Sequence, residues 1–113
     1  MLPPQNRLKK SREIAKVYKK GVYGGAGILS VKAAKFGKTD SRLVVIVAKK
    51  ISKKAVVRNR IRRRIVEIMR QEWGTVAPGY DIIITAHQDI SKIPRPDLES
   101  ATIKALKRAG VIS

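Results

Sequence analysis

The sequence predicts an α/β (α+β) two-layer sandwich, in which a small mixed sheet carries three helices. Three observations predict this class. Apolar residues recur at helical spacing in three segments, β-branched apolar runs lie between those segments, and 113 residues can bury only one modest core. The predicted order is helix, strand, strand, helix, strand, helix. We expect residues 1–113 to form a single domain.

The first predicted elements are a helix and a strand. Residues 11–21 (SREIAKVYKKG) are typical of a short helix, because Ser11 can cap its start and Gly21 can end it. Residues 23–27 (YGGAG) are rich in glycine and predict a turn or bulge. Residues 28–34 (ILSVKAA) then predict the first strand.

The rest of the chain predicts two strands and two helices. Residues 42–50 (RLVVIVAKK) contain an apolar run whose β-branched content predicts a central strand covered on both faces. Residues 53–73 predict a long helix, residues 80–86 (YDIIITA) another strand, and residues 97–109 a last helix that ends at Gly110. A strand, a helix and a strand in this order favour a crossover between parallel strands, which the general rule makes right-handed.

The charge of the chain is strongly unbalanced. It contains 26 Lys and Arg against 8 Asp and Glu, a formal net charge of +18. A compact domain with this charge repels itself unless a polyanion neutralises it, so nucleic acid is the first candidate partner and an anionic membrane the second. The chain has no cysteine, which excludes disulfides and zinc–thiolate sites. It also lacks a signal-peptide segment and a long apolar run, so we expect a cytoplasmic protein.

The long predicted helix carries much of that charge. From Ser41 to Val66, ten residues are Lys or Arg and none is acidic. Arginine dominates the helix, and its planar guanidinium binds phosphate through two hydrogen bonds and stacks on bases. A solvated charged face is the alternative, but such faces alternate in sign, so we predict a polyanion-binding helix. Its core-facing stripe is predicted at Val57, Ile61, Ile65, Ile68 and Met69.

The sequence offers no constellation for catalysis. His87 is the only histidine and has no evident positioned partner, so a surface or edge histidine is the simpler interpretation. The carboxylates are scattered singly, and no phosphate-binding glycine loop is present. We therefore predict no catalytic residue, no metal site and no bound cofactor in the polypeptide. Tyr18 is the strongest candidate for stacking on a base, whereas core or cleft-wall positions are expected for Tyr23, Phe36 and Tyr80.

The segment VVRNRIRRRIVE resembles a signature of the protein subunit of bacterial ribonuclease P. Its Arg58-Asn59-Arg60 triplet is followed by a basic cluster and preceded by VAKK at a strand end, and the opening helix and YDIIITA agree as well. The resemblance covers nearly the whole chain. It implies a fold similar to a domain of ribosomal protein S5, with a left-handed crossover at the basic helix, against the general rule.

The resemblance also implies a function and its residues. The protein would assist the RNA subunit of ribonuclease P, which holds catalytic Mg²⁺ and cuts precursor tRNA at its 5′ end. A cleft between the first helix and the sheet would bind the 5′ leader of that precursor through Ile14, Tyr18, Ser30 and Lys32, although many members have an aromatic residue where this chain has Ile14. The RNA subunit would meet Lys49, Lys50, Lys53, Lys54, Arg58, Asn59, Arg60, Arg62, Arg63 and Arg64.

A structural RNA-binding protein of the ribosomal type is the alternative from another class. Composition does not separate the two, but the motif set favours the ribonuclease P subunit. Binding in the DNA major groove is disfavoured, because the apolar stripe implies that the basic helix packs on a sheet. A helix that lies on a membrane surface carries exposed aromatic and leucine residues on its apolar face, whereas the short apolar stripe of this helix is better explained as core. We therefore expect ribonuclease P RNA and precursor tRNA as partners, and neither DNA nor a membrane.

Overall fold

The structure is a computed structural model that describes residues 2–37 and 40–113. It contains three α-helices and a four-stranded mixed sheet, which confirms the predicted class. Two short 3₁₀ turns, Pro4–Asn6 and Trp73–Thr75, accompany them. In chain order the elements are α1 (Ser11–Lys20), β1 (Val22–Gly25), β2 (Leu29–Lys35), β3 (Arg42–Ile46), α2 (Ala55–Glu72), β4 (Tyr80–Ala86) and α3 (Arg95–Arg108).

The sheet has the strand order β1-β2-β4-β3. The pairs β1–β2 and β2–β4 are antiparallel, and β3–β4 is parallel, with Ile46 opposite Thr85. Helix α2 therefore connects two adjacent parallel strands, as the pattern of strand, helix and strand predicted. The handedness of this crossover, right-handed by the general rule or left-handed by the resemblance, stays a prediction.

The prediction of a turn or bulge at residues 23–27 is wrong, because β1 occupies most of that segment. The reason lies at Gly24, over which α3 crosses at very short range. A Cβ atom at residue 24 would lie 2.3 Å from the carbonyl oxygen of Ala105 and 2.6 Å from the amide nitrogen of Ala109. Glycine is needed here for a close approach between backbones. The turn follows at Gly27, whose φ is +76°.

The prediction that residues 42–50 form a central strand is also wrong in position, since β3 lies at the edge of the sheet. The strand is apolar because both of its faces pack against other residues, Leu43 and Val45 on one side and Val44 and Ile46 on the other. Part of its outer edge pairs with the N-terminal segment, where the amide of Leu8 donates to the carbonyl of Leu43 at 2.9 Å. Burial on both faces therefore did not require a central position.

The helices lie on opposite faces of the sheet. Helices α2 and α3 cover one face and enclose the main core, which includes Ile61, Ile65 and Ile82. Helix α1 lies on the other face over β2 and β4, where Val17 packs against Ile83. The two faces of one thin sheet thus carry two different surfaces, one dominated by α2 and one flanked by α1.

Candidate nucleic-acid interface

The apolar stripe predicted along α2 is confirmed. Ile61, Ile65, Ile68 and Met69 are buried and Val57 is partly buried in the main core. Because these positions occupy one side of the helix, the guanidinium groups at the intervening positions point towards solvent or towards neighbouring loops. Packing against the sheet therefore fixes which side of α2 is available to a partner.

The segment before α2 presents four lysines to solvent. Lys49, Lys50, Lys53 and Lys54 are all exposed. The side chain of Arg58 reaches back from the first turn, where its Nη1 donates to the carbonyl oxygens of Ser52 at 2.9 Å and Lys53 at 3.1 Å. Cations at a helix N-terminus oppose the helix dipole, whereas a bound anion would be favoured there.

The arginines of α2 differ in how they are held. Arg60 and Arg63 are exposed, and neither side chain donates a hydrogen bond to another residue that the structure describes. Arg62 donates to the side-chain oxygen of Asn59 one turn earlier. Of these residues, Arg60 and Arg63 are the most readily available to phosphate.

Arg64 is tied to the fold. Its Nη1 donates to the carbonyl oxygen of Ile90 at 2.6 Å, and its Nη2 donates to the carbonyl oxygen of Ile93. The side chain thereby fixes the loop between β4 and α3 against α2. Sequence reasoning placed Arg64 with the RNA-contacting residues and missed this second role, which depends on a contact across 26 residues of chain.

The residues predicted for the leader cleft lie on α1 itself or on the face of the sheet that α1 flanks. Ser30 and Lys32 lie on β2 opposite Thr85 and Ile83 of β4, and Ile83 packs beneath α1. Residues opposite one another in a sheet point to the same face, so Ser30 and Lys32 share the face of Ile83. Ile14 is partly buried in the apolar cluster under α1, whereas the side chain of Tyr18 is 48% exposed.

Tyr23 lies on the same face, whereas the sequence analysis expected a core or cleft-wall position for it and did not include it among the leader-cleft residues. It stands opposite Lys32 in the sheet and is 61% exposed. Its ring lies over Gly25, where an added Cβ would come within 2.9 Å of the Tyr23 hydroxyl oxygen. The spacing of Tyr23 and Gly25, two residues apart and thus on one face of a strand, is a signal that could have identified this ring, had the segment been recognised as a strand.

The remaining aromatic residues and His87 lie largely where the sequence placed them. Phe36 and Tyr80 are half-buried and pack against the apolar clusters, as expected. His87 is exposed just after β4, which confirms the interpretation as a surface or edge histidine. Its Nε2 lies 2.8 Å from Ser30 Oγ, so this histidine borders the face that α1 flanks.

An ion-pair network anchors α1 to the sheet. Arg42 of β3 donates from Nε and Nη2 to the two carboxylate oxygens of Asp81 at 2.9 and 2.7 Å, and from Nη1 and Nη2 to the carboxylate of Glu13 at 3.0 Å each. These hydrogen bonds raise the pKa of Arg42 above its ordinary value, and those to Asp81 have the largest effect. Desolvation of the guanidinium acts in the opposite direction. The guanidinium therefore stays charged and holds α1 in place beside the strands.

Residues 2–37 and 40–113 contain no group of three or more His, Cys, Asp or Glu side chains that could hold a metal ion. Within the same ranges, none of the helices is both long enough and apolar enough to span a membrane.

Comparisons with known proteins agree with this geometry. The family model described as Ribonuclease P matches residues 2–110. The ribonuclease P protein component of Roseiflexus castenholzii is 37% identical over 107 residues, which cover 94% of this chain and 87% of the relative. The corresponding protein of a Pseudanabaena species is 36% identical over 113 residues, which cover 99% of this chain and 97% of the relative.

Solved structures give the same result for the fold. The RNase P protein of Staphylococcus aureus superposes with a TM-score of 0.84 at 28% identity, covering 96% of this chain and 98% of that chain. The RNase P protein of Thermotoga maritima superposes with a TM-score of 0.80 at 27% identity, covering 90% of this chain and 96% of that chain.

Proposed function

The chain belongs to the ribonuclease P protein family, and from this premise we propose that it binds both the RNA subunit of ribonuclease P and the 5′ leader of precursor tRNA. The observation that carries the proposal is the pairing of an arginine-rich helix on one face of the sheet with exposed tyrosines on the other. The first surface suits a folded polyanion, and the second suits an unpaired strand.

The RNA subunit would meet α2 and the lysines before it. Arg60 and Arg63 are free to bind phosphate, and Lys53 and Lys54 add charge at the helix N-terminus. Each phosphate contact releases counterions, which makes binding tight at low salt and strongly salt-dependent. Binding would also offset the repulsion between like charges that the free protein carries.

The leader would lie on the face flanked by α1. Tyr18 and Tyr23 offer exposed rings for base stacking, and Lys32, opposite Tyr23 in the sheet, offers a charge for the RNA backbone. Ile14 adds an apolar wall but no ring. Mature tRNA has no leader, so this face would distinguish the precursor from the product.

The segment between β3 and α2, which carries Lys49, Lys50, Lys53 and Lys54, lies between the proposed surface for the RNA subunit and the proposed surface for the leader. Ile46 at the end of β3 lies opposite Thr85 near the end of β4. Parallel strands that lie side by side run in the same direction, so β3 and β4 finish at the same end of the sheet. The segment that contains Lys49 therefore begins at the end of the sheet where His87 and Ser30 lie. A leader on one face and the RNA subunit on the other would therefore meet at this end of the sheet.

The catalytic step is assigned to the RNA subunit. The described side chains form no metal site, and His87 pairs with a serine rather than with a carboxylate that could orient it as a base. The RNA subunit would hold the Mg²⁺ that activates water for hydrolysis at the 5′ end of the tRNA. The protein's own contribution is to hold and orient RNA, and we expect it to do so in the cytoplasm.

Equilibrium binding tests the proposal. The purified protein is titrated against a bacterial ribonuclease P RNA and against an unrelated structured RNA of equal length, over a series of salt concentrations. We expect tighter binding to ribonuclease P RNA at every salt concentration. Equal affinity for both RNAs would favour a general structural RNA-binding protein instead.

A further inference from the structure

A positively charged depression lies between α2 and the start of α3, which we call the α2–α3 basin. Its volume is about 470 Å³, and it is lined by Val56, Arg60, Arg63, Arg64, Glu67 and Arg95. Arg95 comes from the first turn of α3 and is the one arginine of this lining that the sequence analysis did not connect with RNA. Two helices thus contribute guanidinium groups to one concave surface.

The basin has a strong excess of positive charge. Among the described residues that line the basin, Glu67 is the one carboxylate, and the Nη2 and Nε of Arg70 donate to its two oxygens at 2.5 and 3.2 Å. These hydrogen bonds lower the pKa of Glu67, so it stays ionised and occupied by Arg70. The carboxylate within the basin therefore does not neutralise Arg60, Arg63 or Arg64, whereas Arg95 forms an ion pair with Glu99, whose carboxylate oxygen lies 3.7 Å from the Arg95 Nε.

Two of the four guanidinium groups are held in place before any ligand arrives. Arg64 is fixed by the carbonyls of Ile90 and Ile93. The Nη2 of Arg95 donates to the side-chain oxygen of Gln71 on α2 at 2.9 Å. Groups that are already ordered lose less conformational entropy when they bind a ligand. Arg64 and Arg95 are thus positioned beside Arg60 and Arg63, an arrangement that favours a ligand with several anionic groups, such as a chain of phosphates, over a single anion.

The lining also indicates which form of RNA would bind. Among the residues that the structure describes, the basin is lined by arginines, one valine and one glutamate, with no aromatic ring for a base to stack on. The exposed rings of Tyr18 and Tyr23 lie instead on the face flanked by α1. Unpaired RNA is bound by stacking, whereas helical RNA is bound largely through its phosphates and 2′-hydroxyls.

We propose that the α2–α3 basin binds the backbone phosphates of a double-helical segment of the RNA subunit, with Arg95 as one of its phosphate ligands. This inference rests on the proposed function and adds α3 to the RNA-binding surface. It divides the work between the two faces: the basin binds paired RNA, and the tyrosine face binds the unpaired leader.

The test compares Arg95→Gln with Lys107→Gln, which removes the same charge from an exposed position in the last turn of the same helix. The probes are a short blunt-ended RNA duplex and one of its strands alone. We expect Arg95→Gln to weaken duplex binding by roughly five- to eightfold at 0.1 M salt and to make the log–log salt slope shallower by about 0.7–0.9, as the loss of one phosphate contact predicts. Lys107→Gln should change duplex binding much less.

Two further variants make the outcome specific. Arg95→Lys keeps the charge and should retain part of the duplex affinity, with unchanged thermal unfolding. Tyr23→Ala should weaken binding of the single strand more than binding of the duplex. If Arg95→Gln behaves like Lys107→Gln, or weakens both probes equally, the basin is not a duplex site. In that case, a loss of affinity for the RNA subunit in the double variant Arg60→Gln/Arg63→Gln would still support the proposed function.

Discussion

The guanidinium of Arg42 and the carboxylate of Glu13 form two parallel hydrogen bonds of 3.0 Å each, which tie α1 to the edge strand β3. The same guanidinium binds Asp81 on β4, a residue that is 1% exposed. Three elements are therefore joined by one side chain. Because α1 carries Tyr18, this network positions one wall of the proposed leader cleft.

Glu13→Gln should loosen that wall. The change removes a charge-assisted pair while Asp81 still holds Arg42, so we expect the free energy of unfolding to fall by about 1–2 kcal/mol. Precursor tRNA should bind the holoenzyme more weakly, with little change for mature tRNA. Urea unfolding and equilibrium binding measure the two effects. An unchanged ratio of precursor to mature affinity would show that the network serves stability alone.

Asp81→Asn should cost more stability than Glu13→Gln. Asp81 is almost fully buried, and its loss leaves the inner side of the Arg42 guanidinium beside a neutral amide. Breaking a buried ion pair costs about 3–5 kcal/mol. Thermal unfolding of the two variants under the same conditions decides the order, and a smaller loss for Asp81→Asn would contradict this account of the network.

Tyr18→Ala and Tyr23→Ala should each weaken binding of precursor tRNA but hardly change binding of mature tRNA. Stacking on an aromatic ring contributes about 1–3 kcal/mol per base. Val22→Ala is the matched control, because Val22 is 57% exposed and lies next to Tyr23 but points to the opposite face of β1. An equal loss for precursor and mature tRNA, with the fold intact, would place these tyrosines outside the leader site.

Arg60→Gln and Arg64→Gln should have different effects on the free protein. Arg60 is exposed, so removing its charge relieves repulsion and should leave thermal stability equal or higher. Arg64→Gln removes the donors to two loop carbonyls and should cost about 1–3 kcal/mol. Both variants should bind the RNA subunit with a shallower salt dependence. Identical unfolding curves for Arg60→Gln and Arg64→Gln would show that Arg64 does not stabilise the fold through the loop.

Gly24→Ala should destabilise the fold by about 1–3 kcal/mol, because the new methyl group would overlap the backbone of α3 and force it away from β1. Gly74→Ala is the control, since no atom lies within 4 Å of a Cβ placed there. Chemical denaturation of both variants is the measurement. A neutral Gly24→Ala would mean that α3 is not packed on β1 as described.

The sequence predicted the elements whose signal is local and repeated. The stripe from Val57 to Met69 has helical spacing, and the apolar run in residues 80–86 is long and β-branched, so α2 and β4 were recognised. The parallel pairing of β3 with β4 followed from the intervening helix. The Arg58-Asn59-Arg60 triplet and its context, together with the opening helix, then identified the family.

The features that were missed depend on contacts between distant segments. Glycines in residues 23–27 look like a turn unless α3 is known to cross Gly24, so β1 and the exposed ring of Tyr23 were overlooked. The edge position of β3 follows from its pairing with β4 alone among the strands, and the anchoring of Arg64 depends on the loop before α3. Charge and periodicity along the chain carry no information about these partners.

The central claim is that the protein assists an RNA catalyst and does not cut RNA itself. Cleavage of precursor tRNA at low Mg²⁺ tests it most directly, with ribonuclease P RNA alone, the protein alone, and both together. We predict a cut at the 5′ end of the mature tRNA sequence that is much faster with both components than with the RNA alone, and no cleavage by the nuclease-treated protein alone. Cleavage that follows the RNA-free protein through purification, or an equal rate with and without the protein, would contradict the account.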